Sequence, residues 1–394
     1  MKKLWKKAVA GILTVAMTGC MVACSGNSET GGSGSSTGSG NEVGDTIKIG
    51  LVTGVTGSGA VYSEQMVNAS ELAVEEINKE GGVLGKELEL IIGDDKGSSE
   101  EAVTVTQKML TQDKINIWMG TLNSSNTVAC LSVTNQAGVL AMAPIAAADS
   151  ITETGSGLVF RNCANNTMQV QQLCEYIASE RPEKKFAIIA ENTEYGKSLV
   201  DNFEKDMEEL GGEIVCTEYY ESGATDFHTQ LTNIKSKGVE AITICGLVSE
   251  GSQVLVQAQE LGIESQFYSF GGFMGQQPID LAGEAANGII HTEYFTPIED
   301  GGVIDKFVAA YQEKYDKIPD SYYAASMYDA VYLIKEAIEK ADSTDTKDIA
   351  AAMQEINYDG VMGNVTFDEN GQANMKVWIG QVQDMIQTVI YRPE

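Results

Sequence analysis

The chain has 394 residues, of which 43% are hydrophobic and 21% are charged, and its formal net charge is −30. This length is enough for two or three ordinary domains with sizeable cores. Because so acidic a surface repels phosphate backbones and anionic lipid headgroups, the composition excludes nucleic acid as an expected partner.

The N-terminus has the layout of an export signal. Four lysines precede the apolar run Ala8–Ala23, which contains no acidic residue. The run is shorter than the roughly 20 apolar residues that a membrane-spanning helix needs. It ends in a lipobox-like sequence, and the small residue Ala23 favours Cys24 over Cys20 as the lipidated cysteine. We therefore predict a lipoprotein signal peptide at 1–23, with an uncleaved anchor helix as the alternative.

The next segment, 24–45, is dominated by glycine and serine. Such a sequence cannot bury enough apolar surface to fold, so it is typical of a flexible tether. Signal, lipidated cysteine and tether together predict a protein held by its lipid anchor at the extracellular face of the cell membrane.

From Thr46 onward, short apolar runs alternate with amphipathic ones. The predicted strands are at 47–52, 88–92, 115–120 and 139–143, and the predicted helices are at 63–80, 99–112 and 126–137. The second of these helices begins with the capping box Ser98-x-x-Glu101.

The same rhythm starts again after about residue 165. Predicted strands at 185–190, 213–219, 241–246 and 266–270 alternate with predicted helices at 168–179, 198–210, 226–237 and 251–261. Two successive β-α-β series indicate two parallel sheets, each covered by helices.

The C-terminal part contains two long predicted helices, 303–315 and 324–341, followed by predicted strands at 376–381 and 387–391. We expect the helices to return to the first lobe and the strands to complete the second. The predicted boundaries are 46–164 plus 296–366 for lobe one and 165–295 plus 367–394 for lobe two. Three chain crossings side by side then form a hinge.

The sequence offers no convincing catalytic or metal site. Gly196-Lys197-Ser198 resembles the end of a P-loop, but Glu191 stands where the first glycine of that loop must be. The chain has two histidines, and no nucleophile is spaced with a base and an orienting group. We expect no enzymatic activity, no cofactor and no metal.

Several short segments follow one another in the order found in a known family. They are 47–59, 75–85, 93–95, 194–196, 223–227, 328–330 and 360–363. In this order the chain from Lys48 onward resembles the leucine/isoleucine/valine-binding proteins, with the type I periplasmic-binding-protein fold. The resemblance implies an α/β fold with two doubly wound parallel-sheet lobes joined by a three-segment hinge. It also implies closure on an amino acid of the branched-chain type and delivery to the permease subunits of an ABC importer.

Ligands in open parallel sheets bind beyond the carboxyl ends of the strands. In lobe one, Ser124 and Ser125 open a helix there, where free N–H groups and the helix dipole suit a carboxylate. The resemblance places the carboxylate-binding serine on Ser124, while plain N-capping is the alternative. The resemblance also implies backbone contacts from the segment 145–147, and an aromatic wall at Tyr62. The residues of this segment are Ile145, Ala146 and Ala147. Ala147 stands at the position where the family has a threonine.

In lobe two, the resemblance implies six binding residues: Tyr195, Leu247, Val248, Gly271, Gly272 and Phe273. Two of them depart from the family pattern. The amino-acid binders have a tyrosine at the position of Leu247 or Val248, and they have the acid that binds the ligand ammonium at the position of Gly271.

These departures leave the ligand open. A buried ammonium without a partner costs several kcal/mol, so an α-amino acid needs another anion, for which Glu250, Glu191 and Asp329 are candidates. The alternative is transport of a small aromatic or aliphatic carboxylate or amide. A second alternative is a ligand-sensing module for a membrane signalling protein, which the lipobox and tether disfavour.

Overall fold

The computed structural model describes residues 46–57, 59–297 and 301–393. The predicted signal peptide, Cys24 and the predicted tether lie outside the described residues.

The described residues form strands in three sheets. The strands are β1 (Thr46–Thr53), β2 (Glu87–Asp94), β3 (Ile117–Gly120), β4 (Leu140–Met142), β5 (Val159–Phe160), β6 (Lys185–Glu191), β7 (Glu213–Tyr220), β8 (Ala241–Cys245), β9 (Gln266–Ser269), β10 (Ile290–Glu293), β11 (Tyr358–Gly360), β12 (Gly363–Val365), β13 (Trp378–Gln383) and β14 (Ile386–Tyr391).

Helices follow most of the strands. They are α1 (Ala60–Lys79), α2 (Ser99–Lys108), α3 (Ser124–Ala137), α4 (Asn166–Glu180), α5 (Glu194–Glu209), α6 (His228–Lys237), α7 (Val248–Glu260), α8 (Gln276–Ala282), α9 (Val303–Tyr315), α10 (Tyr322–Ala341) and α11 (Thr346–Gln354).

The first lobe is built on a parallel sheet of five strands in the order β2-β1-β3-β4-β5. Helix α1 packs against α10 on one face, and α2 packs against α3 on the other. The apolar stripe of α1 enters this core, where Met66, Ala69 and Ile77 are fully buried. The helical spacing of these residues therefore decides which side of α1 faces the sheet.

The second lobe is built on a sheet of seven strands in the order β14-β13-β10-β9-β8-β6-β7. Its last two strands along the chain, β13 and β14, run antiparallel to their neighbours. Successive residues of β6 point to opposite faces, so Ile188 packs with Leu199 of α5 while Ile189 packs with Leu231 of α6. Because both faces are covered by helices, β6 is apolar along most of its length.

The α/β fold with parallel-sheet lobes, predicted from the sequence, is confirmed. The chain passes from the first sheet to the second between β5 and β6. It returns after β10 to place α10 against α1, and it re-enters the second sheet at β13. The residue boundaries given above for the two lobes stay predictions.

Several local details differ from the sequence expectations. Helices α5 and α7 begin at Glu194 and Val248, a turn earlier than predicted. Ser98 is the N-cap of α2, but its side chain makes no capping hydrogen bond, and Glu101 instead lies 3.4 Å from Lys96 Nζ. Helix α2 ends at Lys108 and the chain continues as one π-helical turn, which together cover the single helix that was predicted.

The described part of the chain has no feature typical of a membrane span or of a metal site. No helix in it combines the length and the apolar character that crossing a bilayer requires. No group of three or more histidine, cysteine, aspartate or glutamate side chains in it is arranged to hold a metal ion.

Candidate functional site

A cavity lies where the carboxyl ends of the two sheets face each other. Its main chamber has a volume of about 190 Å³, and a side chamber of about 90 Å³ adjoins it. The residues that line both chambers are Gly97, Leu122, Asn123, Ser222, Leu247 and Tyr323. Both lobes contribute to the wall, so a solute held here touches both lobes at once.

The start of helix α3 forms one wall of the main chamber. Asn123 is the N-cap, and no side chain among the described residues caps the first turn. Ser124 is 3% exposed, and its Oγ accepts a hydrogen bond from the Ala148 N–H at 3.2 Å. This bond joins the loops that follow β3 and β4. The uncapped N–H groups and the positive end of the helix dipole make this wall suitable for a carboxylate.

The loop after β4 brings Ile145, Ala146 and Ala147 to the main chamber. A buried arginine that the sequence analysis did not consider, Arg161, fixes this loop. Its Nη1 donates to the Ala148 carbonyl at 2.6 Å and to the Ala146 carbonyl at 3.3 Å. Arg161 is fully buried, and because its guanidinium is always charged, these bonds are charge-assisted.

Three tyrosines form an aromatic wall. Tyr62, predicted from the resemblance, lines the side chamber, and its ring lies 5.1 Å from that of Tyr323. The Tyr323 ring lies 4.4 Å from that of Tyr322, and both line the main chamber. Burial raises the pKa of Tyr323 to about 12, so its hydroxyl is neutral. Tyr322 and Tyr323 were not predicted as site residues, although two adjacent tyrosines at the start of a long helix are a signal of an aromatic wall that the sequence does contain.

Tyr195 and Gly272 meet in the wall contributed by the second lobe. The Gly272 N–H donates to the Tyr195 hydroxyl oxygen at 3.2 Å, and the Tyr195 ring is almost fully buried. A Cβ at Gly272 would lie 2.4 Å from the Gly246 carbonyl oxygen. Since no side chain fits there, glycine is required for the loop after β9 to reach the cavity.

Leu247 and Val248 stand at the start of helix α7. Leu247 lines both chambers, and Val248 lines the side chamber beside Tyr62. They give this part of the wall an apolar surface.

Gly271 and Phe273 do not line the cavity, in contrast to the sequence expectation. The Gly271 N–H donates to Gln169 Oε1 at 2.8 Å, and the same oxygen would lie 2.8 Å from a Cβ at Gly271. Phe273 packs against the His291 ring at 6.1 Å and belongs to the core under α7. Of the three residues of this 3-10 turn, Gly272 lines the main chamber, and the other two pack inside the second lobe.

The three acids considered from the sequence occupy different places. Glu191 lines the main chamber and Glu250 the side chamber. Asp329 lies outside both, and its two carboxylate oxygens accept the N–H groups of Val361 and Met362 at 2.9 and 2.7 Å. Asp329 therefore fastens the β11–β12 turn to α10.

Polar contacts hold the two walls of the cavity together. The Glu194 N–H of α5 donates to Ser125 Oγ of α3 at 3.3 Å. Asp149, which follows β4, accepts hydrogen bonds from Ser198 and Asn202 of α5, both at 2.8 Å. These hydrogen bonds join α3 and the segment after β4 to α5 beside the cavity.

Comparison with known proteins agrees with this architecture. Residues 46–385 match the family described as periplasmic binding protein. The chain belongs to that family. The resemblance drawn from the sequence is therefore confirmed, and the family consists of proteins that bind solutes rather than enzymes.

Among characterised relatives, the chain is 30% identical over 330 residues to the leucine-, isoleucine-, valine-, threonine- and alanine-binding protein of Pseudomonas aeruginosa. The match covers 83% of this chain and 87% of the relative. It is also 28% identical over 334 residues to a Leu/Ile/Val-binding protein homologue of Brucella abortus, covering 84% of this chain and 89% of that one.

Solved structures show the same similarity. The leucine-binding protein LivK of Thermotoga maritima superposes with a TM-score of 0.83 at 26% identity, covering 88% of this chain and 99% of that one. The branched-chain amino acid transporter substrate-binding protein LivJ of Streptococcus pneumoniae, in complex with isoleucine, superposes with a TM-score of 0.80 at 29% identity, covering 88% and 100%.

Proposed function

We propose that this protein is the extracellular substrate-binding lipoprotein of an ABC importer and that it captures an amino acid of the branched-chain type by lobe closure. Its partners are then the solute, the permease subunits and, through the lipid on Cys24, the membrane. Relatives named for binding leucine, isoleucine and valine support the solute class. The export signal and lipobox-like sequence support the location.

The observation that carries the proposal is the position of the cavity. It lies at the carboxyl ends of two parallel sheets, between an uncapped helix start on one side and Tyr195 on the other. Parallel sheets bind ligands at this edge, where loops and helix N-termini converge. A small carboxylate placed against Ser124 is then covered by the second lobe and excluded from water.

The proposed site residues are those that the structure brings to the wall: Tyr62, Ser124, Ser125, Ile145, Ala146, Ala147, Tyr195, Leu247, Val248 and Gly272. They supply hydrogen bonds, backbone dipoles and apolar contacts. None is paired with a base in the manner of an activated nucleophile, so we infer that the bound solute leaves unchanged.

A thermal-shift screen tests the proposal. Residues 25–394 are purified without the signal and assayed with the twenty amino acids and a panel of small organic acids. A ligand that binds the native state raises the unfolding midpoint in a concentration-dependent way. We expect leucine, isoleucine or valine to give the largest shift, with one site per chain by calorimetry. Saturating amino acids that give no shift would contradict the proposed solute class.

A second candidate solute is a small aromatic carboxylate. The adjacent, tilted rings of Tyr62, Tyr323 and Tyr322 favour it, because an aromatic ligand gains from ring contacts in addition to apolar burial. The same screen separates the two candidates, since benzoate and its hydroxylated relatives are included among the organic acids.

A further inference from the structure

Arg161 is a fully buried cation that has no acid as a direct partner. Its guanidinium donates to four neutral acceptors, which are the carbonyl oxygens of Ala146 and Ala148, Thr152 Oγ1 and Gln372 Oε1. Asp149 and Asp368 act on it electrostatically, but neither forms an ion pair with it in the described part of the chain. Since a buried charge in a native protein is normally paired, Arg161 leaves a positive charge uncompensated beside the loop that lines the cavity.

The two acids that act on Arg161 are engaged elsewhere. The Asp149 carboxylate accepts hydrogen bonds from two side chains of α5, both at 2.8 Å. Asp368 Oδ1 accepts two backbone N–H groups of its own turn at 2.8 and 2.9 Å. Neither carboxylate is thus placed to neutralise Arg161.

The position of the guanidinium is fixed by two crossings of the chain. The Arg161 N–H donates to the Gly371 carbonyl, and the Arg161 carbonyl accepts the Ala373 N–H, both at 2.8 Å. Gln372, which accepts from Arg161 Nε, also donates from Nε2 to the Cys163 carbonyl at 2.9 Å. Residue 161 follows β5 and residues 371–373 precede β13. The charge is therefore preorganised by segments that do not line the cavity.

The peptide group between Ala146 and Ala147 connects this charge to the cavity. Its carbonyl oxygen accepts from Arg161 Nη1 at 3.3 Å, while its N–H, on Ala147, donates to no group in the residues that the structure describes. Both alanines line the main chamber, and Ala147 is 3% exposed. A cation bonded to the carbonyl polarises the peptide and makes its N–H a stronger donor. Because a buried N–H is nearly always partnered, this group is suited to an anionic acceptor that a ligand brings.

Ser124 supplies a second donor from the facing helix start. Its Oγ accepts the Ala148 N–H at 3.2 Å, and the Ala148 carbonyl accepts from Arg161 Nη1 at 2.6 Å. A hydroxyl that accepts one hydrogen bond keeps its own proton to donate. The wall thus offers a hydroxyl and a polarised N–H, and both are connected to carbonyl groups that Arg161 bonds.

We propose that Arg161 is the counter-charge for the carboxylate of the solute, that it acts through the loop without touching the solute, and that it makes the cavity select carboxylates over neutral analogues. Arg161 is then a positioning residue that sets specificity. This inference rests on the proposed function, and it holds for either candidate solute, since both carry a carboxylate.

Two pairs of probes test the selectivity on the unaltered protein: L-leucine against L-leucinamide, and benzoate against benzamide. In the pair that binds, we expect the carboxylate to bind about a hundredfold more tightly than the amide, as measured by calorimetry. Equal affinities within that pair would overturn the role of Arg161 while leaving solute capture intact. Failure of every amino acid and organic acid to bind would overturn both proposals together.

Variants of Arg161 locate the effect. Arg161→Met is expected to reduce the carboxylate-to-amide affinity ratio about thirtyfold, and Arg161→Lys is expected to retain most of the ratio because it keeps the charge. Arg181→Met removes a guanidinium that pairs with Glu183 outside the cavity, and it is expected to leave the ratio unchanged. Equal weakening of carboxylate and amide in Arg161→Met would show a structural role only and overturn the proposal.

Gln372→Glu tests the same charge without removing Arg161, and so remains decisive if Arg161→Met does not fold. It keeps an oxygen for Arg161 Nε and adds a negative charge beside the guanidinium. We expect the ratio to fall about tenfold or more, with folding checked by the thermal midpoint. Gln372→Leu, which loses the same side-chain hydrogen bonds without adding a charge, is the control and should retain the ratio. An unchanged ratio in folded Gln372→Glu would overturn the proposal.

Discussion

Asp149 offers a direct test of lobe closure. Its carboxylate accepts hydrogen bonds from Ser198 Oγ and Asn202 Nδ2, both at 2.8 Å, and from the Thr167 N–H at 3.2 Å. All three donors belong to α4 or α5 of the second lobe, while Asp149 follows β4 of the first. Replacing Asp149 by alanine removes bonds between lobes and leaves the cavity wall unchanged.

The expected loss of affinity in Asp149→Ala follows from the two hydrogen bonds that Asp149 accepts from side chains. Asp149 is half-buried, so each bond is assigned an ordinary net value of about 0.5–1.5 kcal/mol rather than that of a fully buried charge. Together they stabilise the closed form by about 1–3 kcal/mol, which corresponds to about a five- to 150-fold loss of affinity in Asp149→Ala. The loss arises because a ligand binds tightly only to the closed form.

The assay is calorimetry with the solute that gives the largest thermal shift, accompanied by small-angle scattering of the ligand-free protein. We expect weaker binding and a larger radius of gyration. Asp201→Ala, an exposed acid on the same helix α5, is the control. An affinity within twofold of the unaltered protein, or equal losses in both variants, would refute the closure role of Asp149.

Three further outcomes are expected. Ser124→Ala should weaken binding of the same solute by about 1–2 kcal/mol, or about five- to thirtyfold, whereas the exposed Ser132→Ala should not; unchanged affinity would remove Ser124 from the site. Tyr195→Phe should lower the unfolding midpoint because it leaves the Gly272 N–H unpaired, but it should weaken binding less than Tyr195→Ala; equal losses of affinity would argue against packing by the ring. Burial raises the pKa of Glu293 from 4.5 to about 8, so its contribution to stability is complete below pH 4.5 and is lost as the pH rises through about 8. Thermal midpoints from pH 5 to 9 should therefore fall more steeply in the unaltered protein than in Glu293→Gln, and parallel curves would contradict this assignment.

Much of the fold could be predicted from the sequence because the local periodicity of apolar residues indicates most helices and strands. The helical stripe of α1 and the apolar run of β6 are each decided by which faces are buried, and those faces show in the sequence. Short elements were not predicted, because they contain too few residues to show such a periodicity. Strand β5 has two residues, and α8 has seven with a proline at the third, so neither shows a clear periodic pattern in the sequence.

The residues of the candidate site also fall into those that the sequence predicts and those that it does not. Ser124 could be found because a strand end and a helix start mark it along the chain, whereas Tyr195 was predicted from the resemblance alone. Tyr322 and Tyr323 enter the cavity from α10, far along the sequence, and no local pattern shows that α10 packs beside α1. Of the three residues of the turn Gly271–Phe273, Gly272 lines the main chamber and the other two do not, a distinction that sequence periodicity cannot make in so short a turn.

The central claim is that one solute lies between the carboxyl ends of the two sheets, and a crystal structure of the complex with leucine tests it most directly. We expect the leucine carboxylate within hydrogen-bond distance of Ser124 and the N–H groups that open α3, with Tyr195 covering the solute from the other lobe. Leucine bound on the outer surface, or a cavity that stays empty at saturating leucine, would contradict the account.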